Sequence, residues 1–185
     1  MSGLPRSGTS MMMNILEAGG IPAITDHQRA ADIDNPKGYY EYEQVKELPN
    51  GETKWLNNAN GRAVKIISSL LQHLPEPYQY RIIIMERKIE EVLISQKKML
   101  ERRNEISDNV SDEELTTLFH DHLHQTEDWL QKHHHHVSCL RVSYNTVLKN
   151  PEVISRQINR FLGGGLDVRA MTSVIDPALY RNKKT

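Results

Sequence analysis

The chain has almost no cysteine, since Cys139 is the only one among 185 residues. A single cysteine excludes an internal disulfide and a zinc cluster built from cysteines, and it is consistent with a reducing compartment. Cys139 lies in the apolar run 137–140. We therefore expect a buried structural thiol at this position and not a nucleophile.

The chain also lacks a long apolar run and a strong excess of charge. No segment approaches the ~20 apolar residues that cross a bilayer, and no secretory signal opens the sequence, so we expect a cytoplasmic protein without a membrane partner. The 23 basic and 24 acidic residues give a net charge of -1. Such a balance does not favour nucleic acid as a partner. Any anion that the protein binds must be held locally.

The most informative stretch is residues 2–10, which reads Ser-Gly-Leu-Pro-Arg-Ser-Gly-Thr-Ser and precedes an apolar helical pattern. A glycine-rich turn before a helix presents backbone N–H groups and the positive end of the helix dipole, so it predicts an anion site. The spacing of Gly3, Gly8 and Ser10 fits the nucleotide-binding template G-x-x-x-x-G-K-S/T, but Thr9 stands at the lysine position. The cation that remains is Arg6. A turn that only caps a helix is the alternative.

Strand and helix patterns alternate along the chain. The strongest strand pattern is 81–85, apolar on both parities, and shorter strands are predicted within 21–25, 63–67 and 137–142. Helices are predicted at 9–18, at 89–100, after a capping box at Ser111 and Glu114, and after Pro151. This order predicts an α/β fold: a three-layer, P-loop NTPase-like parallel sheet of about four to five strands flanked by helices. We expect a single domain over residues 1–185, with a first strand that is truncated because only Met1 precedes Ser2.

The stretch from Pro5 to Ser10 resembles the phosphate loop of the sulfotransferase family, which commonly reads Pro-Lys/Arg-Ser-Gly-Thr-Ser/Thr. In that family the loop binds the 5′-phosphosulfate of 3′-phosphoadenosine 5′-phosphosulfate (PAPS). The resemblance implies that PAPS is the co-substrate and PAP the product, and that Arg6 meets the bridging oxygen. The implied loop contacts are Pro5, Arg6, Ser7, Gly8, Thr9 and Ser10.

A second anion-binding motif follows the strongest strand. Arg87 stands at the strand end and Ser95 lies eight residues later on the next helix, a pairing that can hold a second phosphate. The stretch 87–96 resembles the family motif Arg-Asp-Pro-x-x-Val-x-x-Ser, which binds the 3′-phosphate of PAPS, although Lys88 and Ile89 replace Asp-Pro. The C-terminal stretch 176–181 is also similar to the family, and this resemblance implies Arg181 as a further cation for that phosphate.

Sulfuryl transfer needs an in-line acceptor and positive charge at the leaving oxygen, and protein cations can supply that charge without a metal. Lys65 occupies the position of the family lysine that contacts the sulfonate. The histidine base that many members carry two residues later is replaced by Ile67. Residues 35–41 resemble the bacterial stretch Asn-Pro-Lys-Gly-Tyr/Phe-x-Glu, which makes Glu41 our candidate general base. The catalytic set is therefore Arg6, Lys65 and Glu41.

Several of these assignments have alternatives. Glu41 is also explained as a solvated glutamate at a helix start, with Glu43 and His27 as further candidate bases. Aromatic residues before and after it could line an acceptor pocket or pack in the core: Tyr39, Tyr40 and Trp55. A pair of histidines at 120 and 124 and a run at 133–136 raise the question of a metal. No matched carboxylate motif accompanies the pair, and the run is most simply a solvated helix end, so we expect no metal.

The sequence thus predicts a PAPS-dependent sulfotransferase that transfers a sulfonate to a hydroxyl or amine of a small-molecule acceptor. A non-catalytic nucleotide- or protein-binding module of the same fold is the main alternative. A P-loop kinase is less favoured because of Thr9 and the lack of an evident acidic strand end for magnesium. The identity of the acceptor and the oligomeric state stay open.

Overall fold

The computed structural model describes residues 1–26, 28–32, 35, 37–105 and 111–179. Its strands are β1 (Ser2–Gly3), β2 (Ala23–Ile24), β3 (Ala63–Val64), β4 (Tyr80–Glu86) and β5 (Val137–Ser143). One parallel sheet has the order β1-β4-β5, and a second parallel pair joins β2 to β3. Parallel pairing of the five named strands confirms the fold class expected from the alternation of strands and helices.

The two sheets meet at Met1. Its backbone nitrogen donates to Val64 O at 2.8 Å, and its carbonyl oxygen accepts from Ile66 N at 3.0 Å. These bonds place the β3 segment beside β1, so the strands follow the order β2-β3-β1-β4-β5. The strand β1 has two residues, and their register on β4 pairs Ser2 with Ile84 and Gly3 with Met85.

The central strand β4 separates two apolar cores. Ile83 and Met85 belong to one core, whereas Ile82 and Ile84 belong to the other. Successive side chains of a strand point to opposite faces of the sheet, so a strand that is apolar on both parities is covered on both sides. The position predicted for the strongest strand pattern is thereby confirmed.

The helices form the outer layers. They are α1 (Thr9–Ala18), α2 (Ile89–Arg103), α3 (Asp112–Lys132), α4 (Tyr144–Lys149), α5 (Pro151–Phe161) and α6 (Val168–Ser173), with 3₁₀ helices at Glu43–Asn50, Lys54–Asn58, Ser68–His73 and Pro177–Leu179. The core that contains Ile83 is closed by α1, α4, α5 and α6, and the core that contains Ile82 by α3 and 3₁₀ helices. None of the helices in the described ranges is long and apolar enough to span a membrane.

Two helix boundaries predicted from local sequence motifs are confirmed, at α1 and at the start of α3. The helix α1 has the predicted bounds, and Gly19 and Gly20 follow its last residue. At the start of α3, Ser111 Oγ accepts from Glu114 N while the Glu114 side chain accepts from Ser111 N, which is the predicted capping box. These signals depend on neighbours three or four residues apart, so they are legible in the sequence.

Three expectations were wrong. Cys139 is exposed, because β5 is the outer strand of its sheet and only Val137 and Val142 on it are buried. The strand predicted at 63–67 keeps its ladder only over Ala63–Val64. The histidine run is a turn whose last member, His136, is 3% exposed and packs against the Tyr80 ring, so it is not a solvated helix end.

Candidate active site

A cleft of about 360 Å³ opens where the chain leaves β1, β3, β4 and β5. Nine of the residues predicted from the sequence line it: Pro5, Arg6, Gly8, Thr9, Ser10, Glu41, Lys65, Arg87 and Ser95. Ser7 lies inside the loop and does not line the cleft, and Arg181 lies outside the described residues. Segments distant in sequence therefore converge on one site at the carboxyl ends of the strands, as expected for parallel sheets.

The phosphate loop is braced from within. Ser7 Oγ donates to Leu4 O at 2.7 Å, and Ser7 N donates to the same oxygen at 3.2 Å. The first backbone hydrogen bond of α1 runs from Met12 N to Gly8 O at 3.1 Å. In the described chain the N–H groups of residues 9–11 have no partner in the loop or the helix, so the helix start presents donors to the cleft.

Two glycines permit the close approach of this loop to its surroundings. Gly8 has φ 99, and a Cβ there would lie 2.4 Å from a ring carbon of Tyr144. Gly3 has φ 149, and a Cβ there would lie 2.8 Å from Met85 O. The spacing that matched the nucleotide-binding template thus has a steric cause, because no larger residue fits at either position.

The two predicted anion-binding motifs are in direct contact. Arg6 Nε donates to Ser95 Oγ at 3.0 Å, and Arg87 Nη1 donates to Arg6 O at 3.1 Å. Arg6 itself adopts φ 68, a left-handed conformation that is uncommon outside glycine. The loop after β1, the arginine after β4 and α2 are therefore joined by side-chain hydrogen bonds.

The Lys65 ammonium lies at the other side of the cleft. It donates to Tyr39 O and lies 3.7 Å from Glu41 Oε1. Its side chain is 10% exposed, and burial lowers the pKa of Lys65 to about 8, partly offset by the Glu41 carboxylate. Lys65 is therefore a cation held in the cleft at a desolvation cost, which an anionic ligand would relieve.

Glu41 is oriented by a second cation. Arg29 Nη1 donates to Glu41 Oε1 at 2.8 Å, and the Arg29 guanidinium lies 3.4 Å above the ring of Tyr39. Within the described residues Glu41 Oε2 has no hydrogen-bond partner. One carboxylate oxygen is thus held by two cations, and the other is not engaged by the described residues.

Sequence reasoning missed four basic residues that line the cleft: Arg29, Lys37, Lys98 and Arg102. Two of them could have been found, because Lys98 and Arg102 follow Ser95 at spacings of three and seven residues and so share its face of α2. With them the cleft is lined by seven basic and two acidic side chains, although the chain as a whole has a net charge of -1.

The other candidate residues from the sequence lie either in the cleft or away from it. Tyr39 and Ile67 line the cleft. Trp55 is 6% exposed and packs edge-on against Tyr42 with ring centroids 5.6 Å apart, so core packing explains it. Tyr40 donates its hydroxyl to Glu17 at 2.6 Å outside the cleft. Glu43 pairs with the nearby Lys46, and His27 falls outside the described residues.

The histidines do not form a metal centre in the part of the chain that the structure describes, where no group of three or more His, Cys, Asp and Glu side chains could hold an ion. His122 instead contacts Ser68 Oγ through Nε2 at 2.7 Å and so links α3 to the 3₁₀ helix Ser68–His73. The run of histidines at 133–136 forms the turn before β5, where three of the rings pack against one another.

Fold and site together define a P-loop-like protein with a cationic cleft at the strand ends. The family model that describes the sulfotransferase domain matches residues 1–185, and the chain belongs to this family. Its general activity is therefore sulfotransfer, and its enzyme class is transferase. No curated protein and no solved structure matches the chain.

Proposed function

We propose that the protein transfers a sulfonate group from PAPS to a hydroxyl or amine of a small-molecule acceptor. The observation that carries this proposal is the contact between the two anion-binding motifs, through Arg6, Ser95 and Arg87. PAPS carries two separate anionic groups, a 5′-phosphosulfate and a 3′-phosphate. A cleft in which a phosphate loop adjoins a second arginine suits such a ligand better than it suits a nucleotide with one anionic chain.

The residues present fit this donor. The N–H groups at the start of α1 and the Arg6 guanidinium would hold the phosphosulfate. Arg87 would hold the 3′-phosphate, together with cations on the cleft face of α2, Lys98 and Arg102.

PAPS supplies the activated sulfonate. The acceptor oxygen or nitrogen attacks the sulfur in line with the bridging oxygen, a new S–O or S–N bond forms, and the sulfur–bridging oxygen bond breaks. The bond electrons and the negative charge stay on the 5′-phosphate, where Arg6 stabilises them. Lys65 steadies the sulfonate oxygens during transfer. The acceptor proton goes to Glu41 Oε2, which Arg29 orients through Oε1.

Calorimetric titration with PAP and with AMP tests the donor assignment. We expect PAP to bind at least about tenfold more tightly, because the 3′-phosphate adds a charge-assisted contact to Arg87. Equal affinities, or no binding, would refute it. Arg81→Gln is the matched control for Arg87→Gln: Arg81 lies at the opposite end of β4, bonded to Leu162 O, so its loss should leave PAP affinity unchanged.

Turnover needs a separate assay. PAPS is incubated with panels of hydroxyl and amine acceptors in the presence of a metal chelator, and PAP release is measured. The rival function, a binding module without chemistry, is favoured by Ile67, which lines the cleft where many family members carry a histidine base. Tight PAP binding with no turnover on any acceptor would support that module. Turnover that disappears in Glu41→Gln would support the enzyme.

A further inference from the structure

Glu91 is a carboxylate buried beneath the cleft in the first turn of α2. Its side chain is 1% exposed, and a buried charge persists only where partners compensate it. Glu91 Oε2 accepts from Arg87 Nε at 3.0 Å, and Glu91 Oε1 accepts from Asn145 Nδ2 at 3.3 Å. The carboxylate thus joins α2 to the end of β4 and to the start of α4, although it does not line the cleft itself.

The Arg87 guanidinium is held from several sides. Besides Glu91, its Nη1 bonds the carbonyl of Arg6, and its Cζ lies 4.3 Å from the centroid of the Tyr144 ring. The Arg87 side chain is 6% exposed. Its rotamer is therefore set by the protein before any ligand arrives.

The same contacts connect α2 to the phosphate loop through a continuous series of hydrogen bonds. Glu91 and Ser95 are four residues apart and lie on one face of α2. Arg87 bonds both Glu91 and the carbonyl of Arg6, and the Arg6 side chain bonds Ser95. Because Arg6 adopts an uncommon left-handed φ of 68, a bond to its carbonyl helps to keep the loop in that conformation.

We propose that Glu91 is a positioning residue for the donor: it fixes Arg87, and through Arg87 the phosphate loop, in the arrangement that receives the 3′-phosphate. The inference rests on the proposed PAPS donor. The proposed role and the charge of Glu91 predict opposite changes in anion affinity when the carboxylate is removed. Removal of a carboxylate near an anion site should strengthen anion binding by electrostatics, whereas loss of positioning should weaken it. The sign of the effect therefore separates the two roles.

The test measures PAP and AMP affinities of Glu91→Gln by calorimetry. We expect the preference for PAP over AMP to fall about tenfold, because Arg87 loses its fixed orientation towards the 3′-phosphate. Glu90→Gln is the matched control, since Glu90 is the other acidic residue in the first turn of α2 and is exposed. The Glu90→Gln variant should prefer PAP over AMP as strongly as the wild type does. Unchanged or increased preference in Glu91→Gln would overturn the proposal.

A double-mutant cycle with Arg87→Gln shows whether Glu91 acts through Arg87. In that background Glu91→Gln should change the PAP preference less than about twofold, because the side chain it positions is absent. An equal loss in both backgrounds would overturn the proposal. If Glu91→Gln does not fold, Asn145→Ser removes the bond to Oε1 and leaves the carboxylate; a smaller loss of preference is expected, and no loss refutes the role. A wild type without any PAP preference would instead refute the donor assignment.

Discussion

The charge of Lys65 should make donor affinity depend on pH. Burial lowers the pKa of Lys65 to about 8, so in the free protein the ammonium is roughly 90% charged at pH 7 and roughly 10% charged at pH 9. A protonated lysine attracts an anion, so affinity is high below the pKa and falls as the pH rises through it. Lys65 contacts the sulfonate in the proposed complex, so if only the charged form contributes, PAPS affinity falls about tenfold between pH 7 and pH 9, or about 1.4 kcal/mol.

Titration calorimetry with PAPS, without acceptor and at constant ionic strength from pH 7 to 9.5, measures this profile. The 3′-phosphate of PAPS has a second pKa of about 6, so the charge of the ligand hardly changes in this range, and any residual ionisation would strengthen binding. Lys65→Arg keeps a cation that does not lose its proton, and its profile should be flat whatever its absolute affinity. Lys37→Arg replaces the exposed cleft lysine bonded to Val174 O and should retain the wild-type fall.

Two results would refute this reasoning. A flat wild-type profile would mean that Lys65 does not meet the anion or that its environment does not lower its pKa. The same fall in Lys65→Arg would mean that a different group titrates. Either outcome would also remove the argument that donor binding relieves the desolvation of Lys65.

Three further predictions concern catalysis and stability. Arg6→Ala should lower kcat by about 10²-fold and PAP affinity much less, because the cation meets charge that develops at the leaving oxygen. Gly8→Ala should destabilise the fold by at least about 2 kcal/mol in urea unfolding, from its left-handed φ and the clash described above. Burial and the rings of His135 and His133 lower the pKa of His136 below 6.5; the fold favours the neutral ring, so this stability is present above pH 6.5 and is lost as the pH falls. His136→Asn should therefore lose less stability than the wild type between pH 7 and pH 5.

Each of these has a matched control. Arg81→Ala removes an arginine outside the cleft and should leave kcat unchanged. Gly51→Ala introduces a side chain at φ 80 with open space around it, so it measures the backbone cost without a clash, and equal losses for Gly8 and Gly51 would contradict the steric argument. His134→Asn changes an exposed member of the same turn and should keep the acid sensitivity of the wild type.

The sequence predicts best those elements that are determined by residues close together along the chain. The bounds of α1 follow from a glycine turn, an apolar face and two terminal glycines, all within residues 3–20. The central place of β4 follows from its apolar parity on both faces. Nearly all the predicted site residues lie at such junctions, which is why pattern and resemblance could place them at one edge of the sheet.

What could not be predicted depends on tertiary contacts between distant segments. The bond from Arg6 to Ser95 joins residues 89 positions apart, and no local pattern encodes it. Glu91 reads as an ordinary acidic residue in a first helical turn, and only its burial against Arg87 distinguishes it from Glu90. Cys139 was misplaced for the same reason, since an apolar run does not reveal whether a strand is central or outermost.

The contacts of the loop with Ser95 and Arg87 also explain how Thr9 can replace the lysine of the nucleotide-binding template. A lysine on the first helical turn serves the loop alone, whereas Arg6 reaches Ser95 with Nε and receives Arg87 at its carbonyl. The cation on the loop and the cation after β4 are thereby fixed relative to each other, a geometry that suits the two anionic groups of the proposed donor. The two anionic groups of the proposed donor would meet basic side chains that are concentrated at one cleft and fixed before binding, which is how a chain of near-neutral net charge would hold such a ligand.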